Sequence, residues 1–216
     1  MTGSSTIGVK ICGLADPVGF DAAIAHGADW VGFVFFAWSP RAVSPSQAAA
    51  LSARHPGGAG RIGLFVRPSD EEIECCLDRV RLDGLQIYDT PARAQAIGAR
   101  FGLPIWLACP VATAVDLPQE APGGGHVARL LIESRPPTLS DRPGGNGVAL
   151  DWAMLRGWDA PVPWLLAGGL DPANVGDAIR HSGATAVDVS SGVEAGPGRK
   201  DPALIEAFIR AARATA

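Results

Sequence analysis

The chain has little of what builds metal sites or disulfide frameworks: four cysteines and four histidines in 216 residues. Cys75 and Cys76 are adjacent, while Cys12 and Cys109 stand far from them. That spacing suits neither zinc ligation nor a disulfide framework and points to a reducing compartment, the cytosol. There is no basic block and no aromatic pattern of the RNA-binding kind. With 18 basic against 22 acidic residues and a formal charge of -4, nucleic acid is not an expected partner. A small anionic ligand held by local geometry remains open. No segment approaches the ~20 apolar residues of a membrane helix. The first six residues lack the cationic start and apolar continuation of a secretory signal, so the expectation is a cytoplasmic protein with no membrane partner.

What the chain does have is a regular beat. Short apolar runs at 7–11, 30–36, 61–66, 84–87, 104–108, 127–132, 163–166 and 186–189 alternate with helical stretches. The helices are expected from Asp16, Pro45, Ser69 and Thr90, then as a short turn near Thr113, and again from Asp151, Asp171 and Asp201. Strands alternating with helices pair in parallel through crossovers. Eight such units in just over two hundred residues predict an α/β fold, a single (β/α)8 TIM barrel over 1–216, with an open doubly wound sheet as the other arrangement.

Asp16-Pro17, Asp171-Pro172 and Asp201-Pro202 each put an N-cap acceptor before a proline at the first helical position, where its missing N–H costs nothing. The segments 13–28 and 169–184 also echo one another, each running from a glycine-leucine turn through a capped helix to a histidine. His26 and His181 fall near helix C-termini, where an imidazolium is favourable, and His55 and His126 precede strands. All four are expected at the end of the barrel opposite the active face, which disfavours imidazole catalysis and a histidine-held metal.

In a barrel the active face lies at the C-terminal ends of the strands. Alternation places Lys10 and Cys12 on one face of the first strand. If that face is internal, the ammonium favours the thiolate and lowers its pKa toward working pH; otherwise Cys12 is a small buried hydrophobe. Asp188, on the strand that closes against the first, can pair with Lys10. Glu133 ends the sixth strand, where partial burial would keep a carboxyl protonated and usable as an acid, although a solvated surface glutamate is the commoner case. Gly168-Gly169 and Ser190-Ser191-Gly192 follow strands seven and eight. Those loops are the recurrent phosphate site of barrels, with backbone N–H groups and hydroxyls as donors. The 143–147 segment, Pro-Gly-Gly-Asn-Gly, reads either as a cover over the ligand or as a surface connection.

Across nearly its whole length the chain resembles the phosphoribosylanthranilate isomerase family. The likeness rests on Lys10-Ile11-Cys12-Gly13, Gly32-Phe33-Val34-Phe35 with Ser39-Pro40-Arg41, and Leu85-Gln86. It continues through Gly144-Gly145-Asn146-Gly147, Asp151-Trp152, Ala167-Gly168-Gly169-Leu170, the stretch from Asp188 to Glu194, and Pro197-Gly198-Arg199-Lys200-Asp201. The resemblance implies an Amadori rearrangement without cofactor or metal. N-(5-phosphoribosyl)anthranilate would become 1-(2-carboxyphenylamino)-1-deoxyribulose 5-phosphate, with Cys12 as base and Glu133 at the position of the acid. It further implies that Arg41 holds the anthranilate carboxylate and that Gly168, Gly169, Ser191 and Gly192 surround the phosphate. Lys10, Gln86, Gly145, Gly147 and Asp188 would complete the substrate site.

Two positions depart from the family pattern. Glu133 stands where the family has aspartate, and Tyr88-Asp89 stands where it usually has His-Gly. Asp141 is the other candidate acid, and Tyr88 reads as a pocket wall. The competing readings are a non-catalytic barrel that binds a phosphoribosyl ligand and another sugar-phosphate enzyme, such as a metal-dependent pentose-phosphate epimerase. Either a monomer or a homodimer is compatible with the sequence.

Overall fold

The apolar runs pair edge to edge in chain order and close on themselves, the last strand against the first. The computed structural model describes residues 6–122, 125–135 and 150–215. Its barrel strands are β1 (Gly8–Cys12), β2 (Trp30–Val34), β3 (Gly60–Val66), β4 (Gly84–Tyr88), β5 (Ile105–Val111), β6 (Val127–Ser134), β7 (Trp164–Leu166) and β8 (Ala186–Val189). All eight are parallel, and the β1–β8 pairing, which sets Lys10 opposite Asp188, makes this a TIM barrel rather than an open sheet. The helices among the described residues are α1 (Pro17–Ala25), α2 (Pro45–Arg54), α3 (Asp70–Leu77), α4 (Pro91–Phe101), α5 (Val175–Ser182) and α6 (Pro202–Arg213). None is long and apolar enough to cross a membrane.

Alternation along each strand divides the apolar side chains between two regions. Val9, Ile11, Val31, Phe33, Leu85 and Ile87 face outward and pack with Phe20, Ile73, Ile97 and Phe208 of the helices. Ile62, Trp106, Leu131, Leu165, Ala167 and Ala186 form a second, inner cluster joined by Trp30. Trp30 meets Trp106 edge-on at 5.2 Å between ring centroids, and the Arg129 guanidinium lies over both rings. These residues sit near the N-terminal ends of their strands. A Cβ on Gly8 or Gly60 would come within 2.9 Å of the Trp30 ring, so the missing side chains make room for the indole. The barrel is thus filled at that end, and the chemistry is left to the other.

Local capping explains most helix starts. Asp16 accepts from Gly19 N at 2.9 Å, and Asp201 accepts from Ala203 N and Leu204 N, each before its proline. Ser44 and Ser69 form capping boxes with Gln47 and Glu72.

Two expectations require correction, and one pair of strands was not expected. Asp171-Pro172 does not open α5 directly: Asp171 Oδ1 caps a turn through Ala173 N and Asn174 N, and the helix starts at Val175. The helix expected from Asp151 is a single 3-10 turn, Trp152–Leu155, soon followed by Gly157 at φ +78°, a backbone state that ends helices. After β8 the chain makes a 3-10 turn, Ser191–Val193, and then an antiparallel pair, β9 (Glu194–Gly196) and β10 (Arg199–Lys200), that the apolar pattern did not show. Strands of three and two residues are too short to display a period. The turn near Thr113 is also 3-10, Ala114–Asp116.

Candidate active site

Barrel closure brings the chemistry of β1, β4, β6 and β8 into one cleft at the C-terminal strand ends, lined by Cys12, Arg41, Gln86, Tyr88, Glu133, Gly168, Gly169, Asp188 and Ser191 among others. Lys10 lies beneath it, fully buried, and donates to Asp188 Oδ1 at 2.7 Å and to Gln86 Oε1 at 2.9 Å. An ammonium in such a place needs its charge balanced and its N–H groups bonded. Burial opposes the charge, but the Asp188 carboxylate and the neighbouring Cys12 sulfur outweigh it and hold the lysine pKa above its ordinary value.

Cys12 is buried beside this ammonium. A Cβ on Gly32 would stand 2.9 Å from Cys12 Sγ and 3.3 Å from Lys10 Nζ, so the absence of a side chain on β2 lets thiol and ammonium share the space. The expectation that Lys10 lowers the thiol pKa is half correct. Lys10 does pull it down and Lys200 helps, but burial is the largest influence and Asp188 adds to it, so the thiol titrates above its ordinary 9.0. Desolvation of an anion outweighs the attraction of a cation that is already paired.

Glu133 is buried at the end of β6, and its Oε1 has no hydrogen-bond partner among the described residues. Burial pushes its pKa up to about 8; Asp188 adds to the rise, while the Tyr88 hydroxyl and Lys10 pull against it. The carboxyl is therefore protonated at neutral pH. The expected alternative, a solvated surface glutamate, does not hold. Tyr88 is more than a wall: its hydroxyl accepts from Gln86 Nε2 at 3.4 Å, and burial with the nearby Glu133 charge drives its own pKa well up.

Arg41 closes the cleft from the loop after β2, its stem lying over Gly13, where a Cβ would meet Arg41 Cδ at 2.5 Å. Its Nε and Nη2 form a bidentate pair with Glu194 at 2.6 and 2.9 Å. Lys200 Nζ binds the same carboxylate at 2.8 Å. The sequence reading assigned no role to Glu194 or Lys200, although both lie inside quoted motifs. Arg41, which Glu194 holds, is 153 positions away, and Lys200 meets Glu194 across the short β9–β10 pair, which the apolar pattern did not show.

The loops after β7 and β8 meet through glycine. A Cβ on Gly192 would fall 1.9 Å from Leu170 O, so only glycine permits this backbone approach. Gly168 and Gly169 have φ of +84° and +66°, which glycine adopts without strain. Asn174 ties their loop down, donating to Gly169 O at 2.8 Å and accepting from Asp171 N at 2.9 Å. Gly145, Gly147 and Asp141 lie outside the described residues. No group of three or more His, Cys, Asp or Glu among the described residues could hold a metal.

Comparison with known proteins follows the same lines. A family model described as N-(5'phosphoribosyl)anthranilate (PRA) isomerase matches residues 9–211. An N-(5'-phosphoribosyl)anthranilate isomerase of Acidiphilium cryptum is 52% identical over 205 residues, covering 95% of this chain and 98% of that one. The structure of the phosphoribosyl anthranilate isomerase of Thermotoga maritima superposes with a TM-score of 0.83 at 31% identity, over 96% and 99% of the two chains; the Thermotoga protein is described as dimeric. A further solved isomerase, in complex with reduced 1-(o-carboxyphenylamino)-1-deoxyribulose 5-phosphate, gives 0.80 at 30% identity, over 96% and 99%. Barrel, cleft and sequence agree, and the chain belongs to the N-(5'-phosphoribosyl)anthranilate isomerase family.

Proposed function

We propose that the phosphoribosylanthranilate isomerase activity, a step of tryptophan biosynthesis, runs on Glu133 as general acid and Cys12 as general base. The observation that carries this reading is the buried Glu133 carboxyl, protonated at neutral pH and with an unpartnered Oε1 in the cleft that Cys12 also lines. In N-(5-phosphoribosyl)anthranilate the acid would protonate the furanose ring oxygen, so that the ring opens to an iminium. The base would then take the proton from sugar C2, and the resulting enolamine would tautomerise to the ketone. Electrons move only within the substrate, so the rearrangement asks for no cofactor.

Each supporting group answers a requirement of that sequence. Cys12 acts as thiolate, and Lys10 and Lys200 favour that form. Lys10 in turn depends on Asp188 and Gln86 for its place. Glu194 occupies Nε and Nη2 of Arg41, so the Nη1 edge is the one it leaves for the anthranilate carboxylate. Gly168, Gly169, Ser191 and Gly192 would take the phosphate with backbone N–H groups and a hydroxyl. Gly145 and Gly147 are read as part of the same substrate site. The Tyr88 hydroxyl bonds the Glu133 carboxyl and would orient the longer acid. The chain is read as one barrel domain over 1–216, acting as a monomer or a homodimer.

The test follows the decay of substrate fluorescence with wild type, Cys12→Ser and Glu133→Gln, with product confirmed by mass and NMR. Turnover by the wild type and its loss in both variants is expected. Full activity in either variant would remove that residue from its role. An inert wild type that still binds the product would turn the reading to a binding protein.

A further inference from the structure

The β9–β10 pair takes no part in the barrel wall, yet it carries two charged side chains held out of solvent that neither give nor take a proton in the proposed reaction. Lys200 enters over α1, where a Cβ on Gly19 would meet Lys200 Cβ at 2.7 Å, so this helix position is glycine to admit the stem. The ammonium is buried and reaches Ser190 O at 2.8 Å, Ser190 Oγ at 3.3 Å and Glu194 Oε1 at 2.8 Å, which uses its three N–H donors. Each of those partners leads to a different part of the site. Ser190 Oγ donates to the backbone carbonyl of Cys12 at 3.1 Å. Glu194 holds the Arg41 guanidinium by its fork and also accepts from Gly198 N at 3.2 Å. The turn that carries Gly198 packs on Pro40, the residue before Arg41, so closely that a Cβ would meet Pro40 O at 2.3 Å.

We propose that Lys200 is a positioning residue that couples the substrate anchor to the base: through Glu194 it holds Arg41, and through Ser190 it holds the end of β1 at Cys12. The inference rests on the roles given above to Arg41 and Cys12. Two long side chains and a strand end arrive from separate loops, and a single buried cation with three fixed partners sets their separation. A second consequence is electrostatic. The charged and titratable groups acting on Cys12 are Lys10 of β1, Tyr88 of β4, Asp188 of β8 and Lys200 of β10. Of the two cations, Lys10 is paired with Asp188 and Lys200 with Glu194.

The experiment compares wild type, Lys200→Met and Ser190→Ala, full length, for kcat and KM. It also follows the pH dependence of iodoacetamide alkylation at Cys12, read on its own peptide by mass spectrometry because Cys75 is exposed and will react too. Lys200→Met should lower kcat by about tenfold or more, raise KM as Arg41 loses its support, and move the alkylation midpoint to higher pH. Ser190→Ala, which leaves the Arg41–Glu194–Lys200 chain in place, should lower kcat with little change in KM. A folded Lys200→Met protein with wild-type kcat, KM and alkylation midpoint overturns the proposal. If Lys200→Met does not fold, Ser190→Ala with wild-type kcat overturns it instead. Cys12→Ser and Arg41→Ala run alongside: full activity in either breaks the underlying assignment, whereas their failure together with an indifferent Lys200 breaks only the coupling.

Discussion

Lys10 and Asp188, 178 positions apart in the chain, meet inside the barrel at 2.7 Å because closure sets them opposite one another in the β1–β8 register. The pair is buried on the lysine side, so its members depend on one another. Neutralising Asp188 leaves the buried ammonium with no carboxylate partner among the described residues, beside the Gln86 amide oxygen and the Cys12 sulfur. Asp188→Asn should cost about 3–5 kcal/mol of folding stability, and Lys10→Met/Asp188→Asn should cost less than the single change. Denaturant unfolding of wild type, Asp188→Asn and the double variant measures this, and a double variant no more stable than Asp188→Asn would contradict the coupling.

On the proposed assignment of Glu133 as acid and Cys12 as base, the two groups titrate in an unusual order. That assignment needs Glu133 protonated and Cys12 ionised, but Glu133 loses its proton at about 8 and Cys12 titrates above its ordinary 9.0. The active form is thus a minor singly protonated species, most populated between those two values. kcat/KM should rise with pH to an optimum above about 8 and fall again beyond the thiol pKa, with limbs that belong to the pair. A pH–rate profile peaking near 6 would exclude this protonation scheme.

Glu133 should also set a slope in stability. Its folded pKa of about 8 lies above the ordinary 4.5, so the native state holds a proton that the unfolded chain releases. The stabilisation associated with that proton is complete below about 4.5 and declines as pH rises to about 8, by on the order of a few kcal/mol. Glu133→Gln should be less sensitive to pH across this window and more stable than wild type at its upper end, while being inactive. Equal pH dependence of Tm in the two proteins would show that the carboxyl is not held protonated.

Cys12→Ser should lower kcat by about 10²–10⁴-fold with little change in KM, since a hydroxyl is a far weaker base. Arg41→Ala should raise KM and lower kcat together, because it removes an anchor and leaves Glu194 with Lys200 as its remaining side-chain partner. Steady-state kinetics of both variants separates the roles, and identical effects on both parameters in both proteins would contradict them.

Gly32→Ala places a methyl 2.9 Å from Cys12 Sγ and 3.1 Å from Cys12 Cα. One contact is backbone, so the strand itself must shift. Activity should fall by about a hundredfold, as expected for a displacement near 1 Å, with a smaller loss of stability. Wild-type turnover in Gly32→Ala would show that the thiol position is not critical.

Much of this protein is written locally. An apolar run, a serine or aspartate three residues from the N–H it caps, and a proline at a first helical turn act over a few bonds. Eight strands, most helix starts and the family likeness can therefore be read from the chain alone. The candidate site residues belong to the same class, since Cys12, Glu133 and Arg41 are recognisable by motif and by their place after a strand. Where local signals compete or are short, reading fails: Asp171 caps a turn before α5, and the two-residue β10 has no period to show. Only tertiary closure decides that Lys10 finds Asp188 and Gln86 and that Arg41 lies on Glu194, whereas Lys200 meets Glu194 and Ser190 through the short β9–β10 turn. It also decides the direction in which Cys12 titrates, because a pKa is a balance between burial and neighbouring charge, and both depend on which distant residues the barrel brings within a few ångströms.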